Sequence, residues 1–328
     1  MIRLLGALLL CLAAPALPQP LAERERADIV AKAATLIEQR YVYPDKARRI
    51  AANLRKAKWS SSDPSEFAEE VTSWLRRFSG DGHLGLSYSD KPIPEDSGDA
   101  DFSTSEMEKW YGPQLNHGIE KIERLPGNIM LLDLRVFPPP AMAGDVFAAA
   151  MNVVAQGDAL IIDLRNNGGG TDTTKLLMGH LLDGGQPLSG EYNRPANRHS
   201  PGVSPDWVPG RRFGSTKPVF VLTSRKTFSA AEAVAYDLQA LKRAMIVGET
   251  TGGGAHPFEY RRIDPHFAVD LPEGRSINPV TGGNWQDVGV KPDIAVPADQ
   301  ALDAALKLAR DAVAKGRSAG GSDPRSLP

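Results

Sequence analysis

Four short apolar runs, at residues 129–136, 160–164, 218–223 and 244–247, are bounded by turn residues and separated by helical stretches at 142–154, 173–182 and 229–241. The first three runs are continuous rather than alternating, which is the pattern of strands buried on both faces. Strands interleaved with helices in this way point to an α/β core. Ahead of that core, residues 21–78 read as three amphipathic helices. The first carries Ile29, Ala33, Leu36, Ile37 and Tyr41 at helical spacing; the second starts at Pro44 and carries Ala47, Ile50, Ala51 and Leu54. Ser62 or Asp63 can cap the third, with Pro64 just inside it and a buried face of Phe67, Val71, Trp74, Leu75 and Phe78. Such a bundle needs a partner surface. Residues 88–105 and 184–217 read as long loops. A last helix presents Leu302, Ala305, Leu306 and Ala309 on one face, and residues 316–328 read as a disordered tail.

The chain opens with one cation, Arg3, an apolar run from Leu4 to Leu12 and then small residues and prolines, with an A-x-A-like site at Ala14 and Ala16. This is the layout of a signal peptide over residues 1–20, so a secreted or periplasmic location is expected. The run falls short of the roughly 20 residues needed to span a bilayer, and no later stretch does better. The single cysteine, Cys11, lies inside that segment. The mature chain is therefore expected to have no disulfide, no thiolate nucleophile and no cysteine-based zinc site. With 38 basic against 40 acidic residues, the formal charge is −2. That balance lacks the basic excess of a nucleic-acid binder.

Three segments could carry chemistry. In TSRKTFSAAEAVAYDL, residues 223–238, a strand ends near Thr223 and a helix starts at Ser229. A hydroxyl at that junction, beside the Ala230 amide at a helix N-terminus, suits a nucleophile with an oxyanion donor. The same Ser229-x-x-Glu232 spacing is also a capping box, a common way to start a helix. In LIIDLRNNGGG a buried strand runs into Gly168, Gly169 and Gly170, which either expose amides to a ligand or make only a tight turn. No G-K-[ST] follows, which argues against a phosphate loop. His83, between glycines in GDGHLGL, is the candidate base, although a surface histidine would read the same. His256 in GGGAHP is the other histidine in a glycine loop. No histidine shows a close metal-ligand spacing, and no metal or other cofactor is expected. Lys226 and Lys242 are poorly placed as bases, the latter about 20 Å along a continuous helix.

Taken in order, these segments resemble peptidase family S41, in particular the branch similar to interphotoreceptor retinoid-binding protein and the tricorn core protease. The resemblance rests on DGHL at 81–84, LPGN at 125–128, DLRNNGGG at 163–170, TFSAAE at 227–232, GETTGGGAHP at 248–257 and INPVTGGNWQDVGVKPDI at 277–294. It implies a ClpP/crotonase-like spiral ββα core over residues 81–315, preceded by a small N-terminal helical bundle over 21–80. It implies Ser229 as nucleophile, His83 as general base, and oxyanion donors from Ala230 and the glycine turn, with Gly169 the position indicated. Its substrates would be peptides or proteins. The lysine that the tail-specific branch places about 25 residues after its serine is replaced by Gly254, which favours a Ser–His mechanism. The family's NWEGVGV reads NWQDVGV here, so Gln286 stands where the resemblance places a catalytic glutamate. Asp287 is the neighbouring carboxylate that could supply the charge; Asp81 and Glu249 are further substitutes. A weakened site leaves a second possibility open: a binding protein for an apolar ligand or peptide on the same scaffold.

Overall fold

The computed structural model describes residues 19–95 and 104–319. Most of the expected signal peptide, part of the 88–105 loop and residues 320–328 of the expected tail lie outside the described residues.

Helices α1 (Glu23–Arg40), α2 (Pro44–Leu54) and α3 (Pro64–Ser79) form the N-terminal bundle. Asp63, not Ser62, caps α3: its carboxylate accepts the Ser65 and Glu66 amides, and Pro64 occupies the position that needs no donor. Phe67, Val71 and Leu75 are buried as expected. Trp74 packs partly buried against that core and stacks on Phe78 with centroids 4.8 Å apart, while Phe78 is 40% exposed. The bundle's partner is a three-stranded antiparallel sheet of β1 (Gly85–Tyr88), β10 (Phe267–Pro272) and β9 (Phe258–Arg262). Leu86, Phe267, Val269 and Leu271 from it share one core with Ile37, Ile50, Phe67 and Leu75. Buried Glu273 accepts both Arg40 and Arg261, fastening α1 to this sheet. His83 lies between α3 and β1, so this packing fixes where it sits.

The central sheet has six strands in the order β12 (Ile294–Ala295), β8 (Met245–Gly248), β7 (Val219–Thr223), β4 (Ala159–Asp163), β3 (Ile129–Leu134) and β2 (Ile119–Leu125). All neighbouring pairs are parallel except β2 with β3. The four expected runs supply β3, β4, β7 and β8. Helices α5 (Pro140–Val154), α6 (Thr173–Leu181) and α7 (Ala230–Ala240) cover one face, where Ile162 and Val221 pack with Phe147, Leu177 and Val234. Helix α8 (Ala301–Ala319) covers the other, where Ile161 and Phe220 meet Ala301, Ala305 and Ala309. Both faces are thus buried, as continuous apolar runs require. The last helix continues to Ala319, four residues past the expected domain end at 315.

The 184–217 stretch is not loop throughout. It holds the hairpin β5 (Pro187–Asn193) and β6 (Arg198–Val203), which pairs through β5 with β11 (Gly274–Ile277). Its glycines hid it: a Cβ on Gly190 would lie 2.5 Å from the Ser200 carbonyl, so the close strand approach itself excludes a side chain there. Helix α4 (Thr104–Tyr111) completes the set. Among the described residues no helix is long and apolar enough to cross a membrane.

Candidate active site

The alcohol at 229 and the imidazole at 83, far apart in sequence, meet: Ser229 Oγ lies 2.9 Å from His83 Nε2. Ser229 leads into α7 with φ 54° and ψ −122°, a left-handed backbone that a residue with a Cβ adopts only under constraint. The constraint is Glu232. Its buried carboxylate accepts the Ser229 amide at 2.9 Å and also binds Thr251 Oγ1, Gly253 N and Gly254 N. The carboxylate half of the capping box is therefore made, while the Ser229 hydroxyl makes no cap bond and is directed at His83.

His83 is 8% exposed and lies between the rings of Phe228, at 4.7 Å, and Phe258, at 5.5 Å. Gly82 and Gly254 close around Phe228; a Cβ on either would lie within 2.8 Å of its ring. Burial drives the His83 pKa down to about 4; the Asp81 charge opposes this and the Arg76 charge adds to it. The ring is thus neutral at pH 7, the state that can accept the serine proton. The slope of kcat/KM on acidification should accordingly sit near pH 4, rising as pH rises through that value and flat above it. An acidic limb centred near 6.5 in a pH–rate profile would contradict this. Burial raises Asp270 to about 6, against the Ser87 hydrogen bond and the Arg76 charge. Between about pH 4 and 6 the two stability terms have opposite sign. The depressed histidine loses stability as pH falls, and the raised carboxyl gains it.

The glycine turn corrects one expectation. Gly169 does pack against the serine, since a Cβ there would lie 2.8 Å from Ser229 Cβ, and its φ of 112° suits glycine. Its amide, however, is engaged, donating to Asn167 Oδ1 at 2.8 Å. The Gly170 and Ala230 amides have no acceptor among the described residues, and both residues line the recess at Ser229. Asn167, which sequence reasoning missed, is fully buried and also donates to the Leu134 carbonyl, while its own carbonyl accepts the Phe228 amide. It joins the glycine turn to the serine turn.

Neither expected third member reaches His83. Gln286 is held at both ends of its amide: Oε1 accepts the Ala255 amide at 2.7 Å and Nε2 donates to Asp287 Oδ1 at 2.8 Å. Asp287 is half-exposed and faces Lys46 at 4.0 Å. Those bonds, and not the adjacent imidazole, set both side chains. Gln286→Glu would put a second carboxylate against Asp287 in place of a donor. It should lower stability by about 1 kcal/mol and leave kcat/KM no higher, measured by chemical denaturation and peptide turnover; a tenfold gain would contradict the geometry. The buried carboxylate beside His83 is instead Asp81. Its Oδ1 accepts the His83 backbone amide at 3.0 Å, and its Oδ2 accepts Tyr41 Oη at 3.0 Å and His256 Nδ1 at 2.7 Å. Burial raises the Asp81 pKa, but the hydrogen bonds from His256 and from the His83 backbone amide outweigh it and hold the group below its ordinary value. Glu249 belongs elsewhere, accepting the Arg225 amide.

Two recesses flank the Ser229–His83 pair. The larger, about 850 Å³, is lined by Arg76, Lys109, Arg135 and Trp110 together with Glu259 and Asp270. The smaller, about 260 Å³, is lined by Ala230, Ala255, His256 and Trp285. Among the described residues no cluster of His, Asp or Glu could hold a metal ion. The pair can deprotonate an alcohol over free backbone donors, the requirement for acyl transfer.

Comparison with known proteins agrees with that geometry. The sequence profile of peptidase family S41 matches residues 129–296, just over half the chain. Among solved structures, a lipoprotein from Streptococcus agalactiae is 17% identical with a TM-score of 0.59, over 94% of this chain and 99% of its own. A candidate peptidase from Parabacteroides merdae is 19% identical with a TM-score of 0.59, over 87% of this chain and 96% of its own. The tricorn protease is 14% identical with a TM-score of 0.55, over 89% of this chain and 37% of its own. At these identities the structures speak for the fold, and the mixed α/β architecture is theirs. With the profile match across the strands and turns that carry Ser229, the chain belongs to peptidase family S41, a family of serine-type peptidases.

Proposed function

We propose that this protein is an exported serine peptidase that works by a Ser–His mechanism on peptide or protein substrates. His83 takes the proton of Ser229 as the hydroxyl attacks a scissile carbonyl. The amides of Ala230 and Gly170 receive the oxyanion, and the protonated His83 then donates to the leaving amine. Water, deprotonated by the same imidazole, releases the acyl group. The single observation that carries this reading is the 2.9 Å contact between Ser229 Oγ and a buried His83 whose burial keeps it neutral. Export rests on the first 20 residues of the sequence, with their short apolar run and A-x-A-like site.

The test is incubation of the mature chain with an unfolded protein or a peptide pool, with products identified by mass. New amino termini that require Ser229 support the reading. An intact pool, together with an apolar molecule or peptide that co-purifies with the protein, overturns it in favour of a binding scaffold.

A further inference from the structure

Two buried ring nitrogens near the nucleophile have no partner among the described residues: His83 Nδ1 and His256 Nε2. Their polarities follow from bonds already made. To accept the Ser229 proton, His83 Nε2 must carry a lone pair, so the neutral ring carries its hydrogen on Nδ1. His256 Nδ1 lies 2.7 Å from the Asp81 carboxylate, which only accepts, so that nitrogen carries the hydrogen and Nε2 carries the lone pair. One orphan is therefore a donor and the other an acceptor. Both rings line the same 260 Å³ recess beside Ser229, and His256 is 1% exposed. Leaving both unpaired in that setting would be costly, because buried donors and acceptors are nearly always matched.

We infer that His256 is the positioning residue for His83: its Nε2 accepts the His83 Nδ1 hydrogen through one water in the recess, and Asp81 holds His256 from behind. This rests on the Ser229–His83 reading and fills the place that Gln286 and Asp287 do not reach. The chain of contacts runs Ser229, His83, His256, Asp81, and Tyr41 donates to the same carboxylate oxygen. When the serine proton reaches His83 Nε2, the imidazolium keeps its Nδ1 hydrogen, and the Asp81 charge balances it across His256. No proton needs to travel beyond His83. Arg76, Glu259 and Asp270 line the recess on the cleft side of His83, and the Tyr43 ring meets His256 edge-on at 5.3 Å.

Three measurements test this. In the 15N spectrum of histidine-labelled protein, His83 and His256 should each carry hydrogen on Nδ1 and a lone pair on Nε2; hydrogen on either Nε2 would overturn the inference. His256→Leu, of similar volume, should lower kcat at least tenfold with KM within about twofold. His256→Gln should recover much of that loss, since a side-chain amide presents a donor to Asp81 and an acceptor to His83. A folded His256→Leu enzyme with wild-type kcat would overturn the inference while leaving the Ser229 reading intact. Absence of any Ser229-dependent reaction in the wild type would overturn both. If His256→Leu does not fold, the wild-type tautomers decide alone.

Discussion

Ser229→Ala is expected to reduce turnover of any peptide substrate by at least about 10⁴-fold while leaving the fold and substrate binding in place. The hydroxyl is only partly buried, makes no cap bond to α7, and its one recorded partner is His83. Removing it therefore creates no unsatisfied helix donor, because the Ser229 amide remains bonded to Glu232. His83→Ala should cost a similar factor, since an unassisted serine hydroxyl is a poor nucleophile at neutral pH. The two substitutions together should cost little more than either alone, because residues that act as a unit are not additive. Turnover measured for the two single variants and the double variant checks this. A loss of less than tenfold in Ser229→Ala would mean that the chemistry lies elsewhere.

The second large effect is on stability. Glu232→Ala should destabilise the protein by at least about 3 kcal/mol, because the carboxylate is fully buried and satisfies four donors, one at Ser229 and three in the 251–254 loop. The amides of Ser229, Gly253 and Gly254 would be left buried and unpaired, and the Thr251 hydroxyl would lose its acceptor. For a chain of this size that amounts to a fall in Tm of roughly 4 to 5 °C or more. The folded fraction should also lose turnover, because the Ser229 amide would lose the acceptor that helps hold the residue at φ 54°. Glu232→Gln, which keeps the shape and one acceptor, should be milder on both counts. Calorimetry of the two variants checks the order, and a Tm for Glu232→Ala within about 2 °C of the wild type would contradict it.

The central sheet was legible because its strands are buried on both faces. Apolar runs such as 160–164 have one explanation once turn residues bound them. The strands of the smaller sheets were not legible, because their signals are mixed. β9 reads FEYRR, with no buried residue, and β6 reads RHSPGV, with only its glycine less than exposed. Both are specified by their partners across the sheet rather than by their own composition. For the site, the serine turn and the histidine between glycines were visible as motifs, and their meeting is a consequence of α3 and β1 packing onto β10. The third member was misplaced for a local reason. A sequence position next to the family glutamate says nothing about which backbone amide the side chain will meet, and here Gln286 finds Ala255. Asn167 and Asp81 left no periodic signal at all, because single buried polar residues are chosen by the backbone groups around them.

Fluorophosphonate labelling followed by tryptic mass mapping tests the central claim most directly. The peptide spanning residues 227–242 contains one serine, Ser229. A nucleophile activated by His83 should carry the phosphonyl adduct on that residue, with the adduct lost in Ser229→Ala and formed far more slowly in His83→Ala. An unmodified 227–242 peptide, or a label that forms at the same rate without His83, would contradict it.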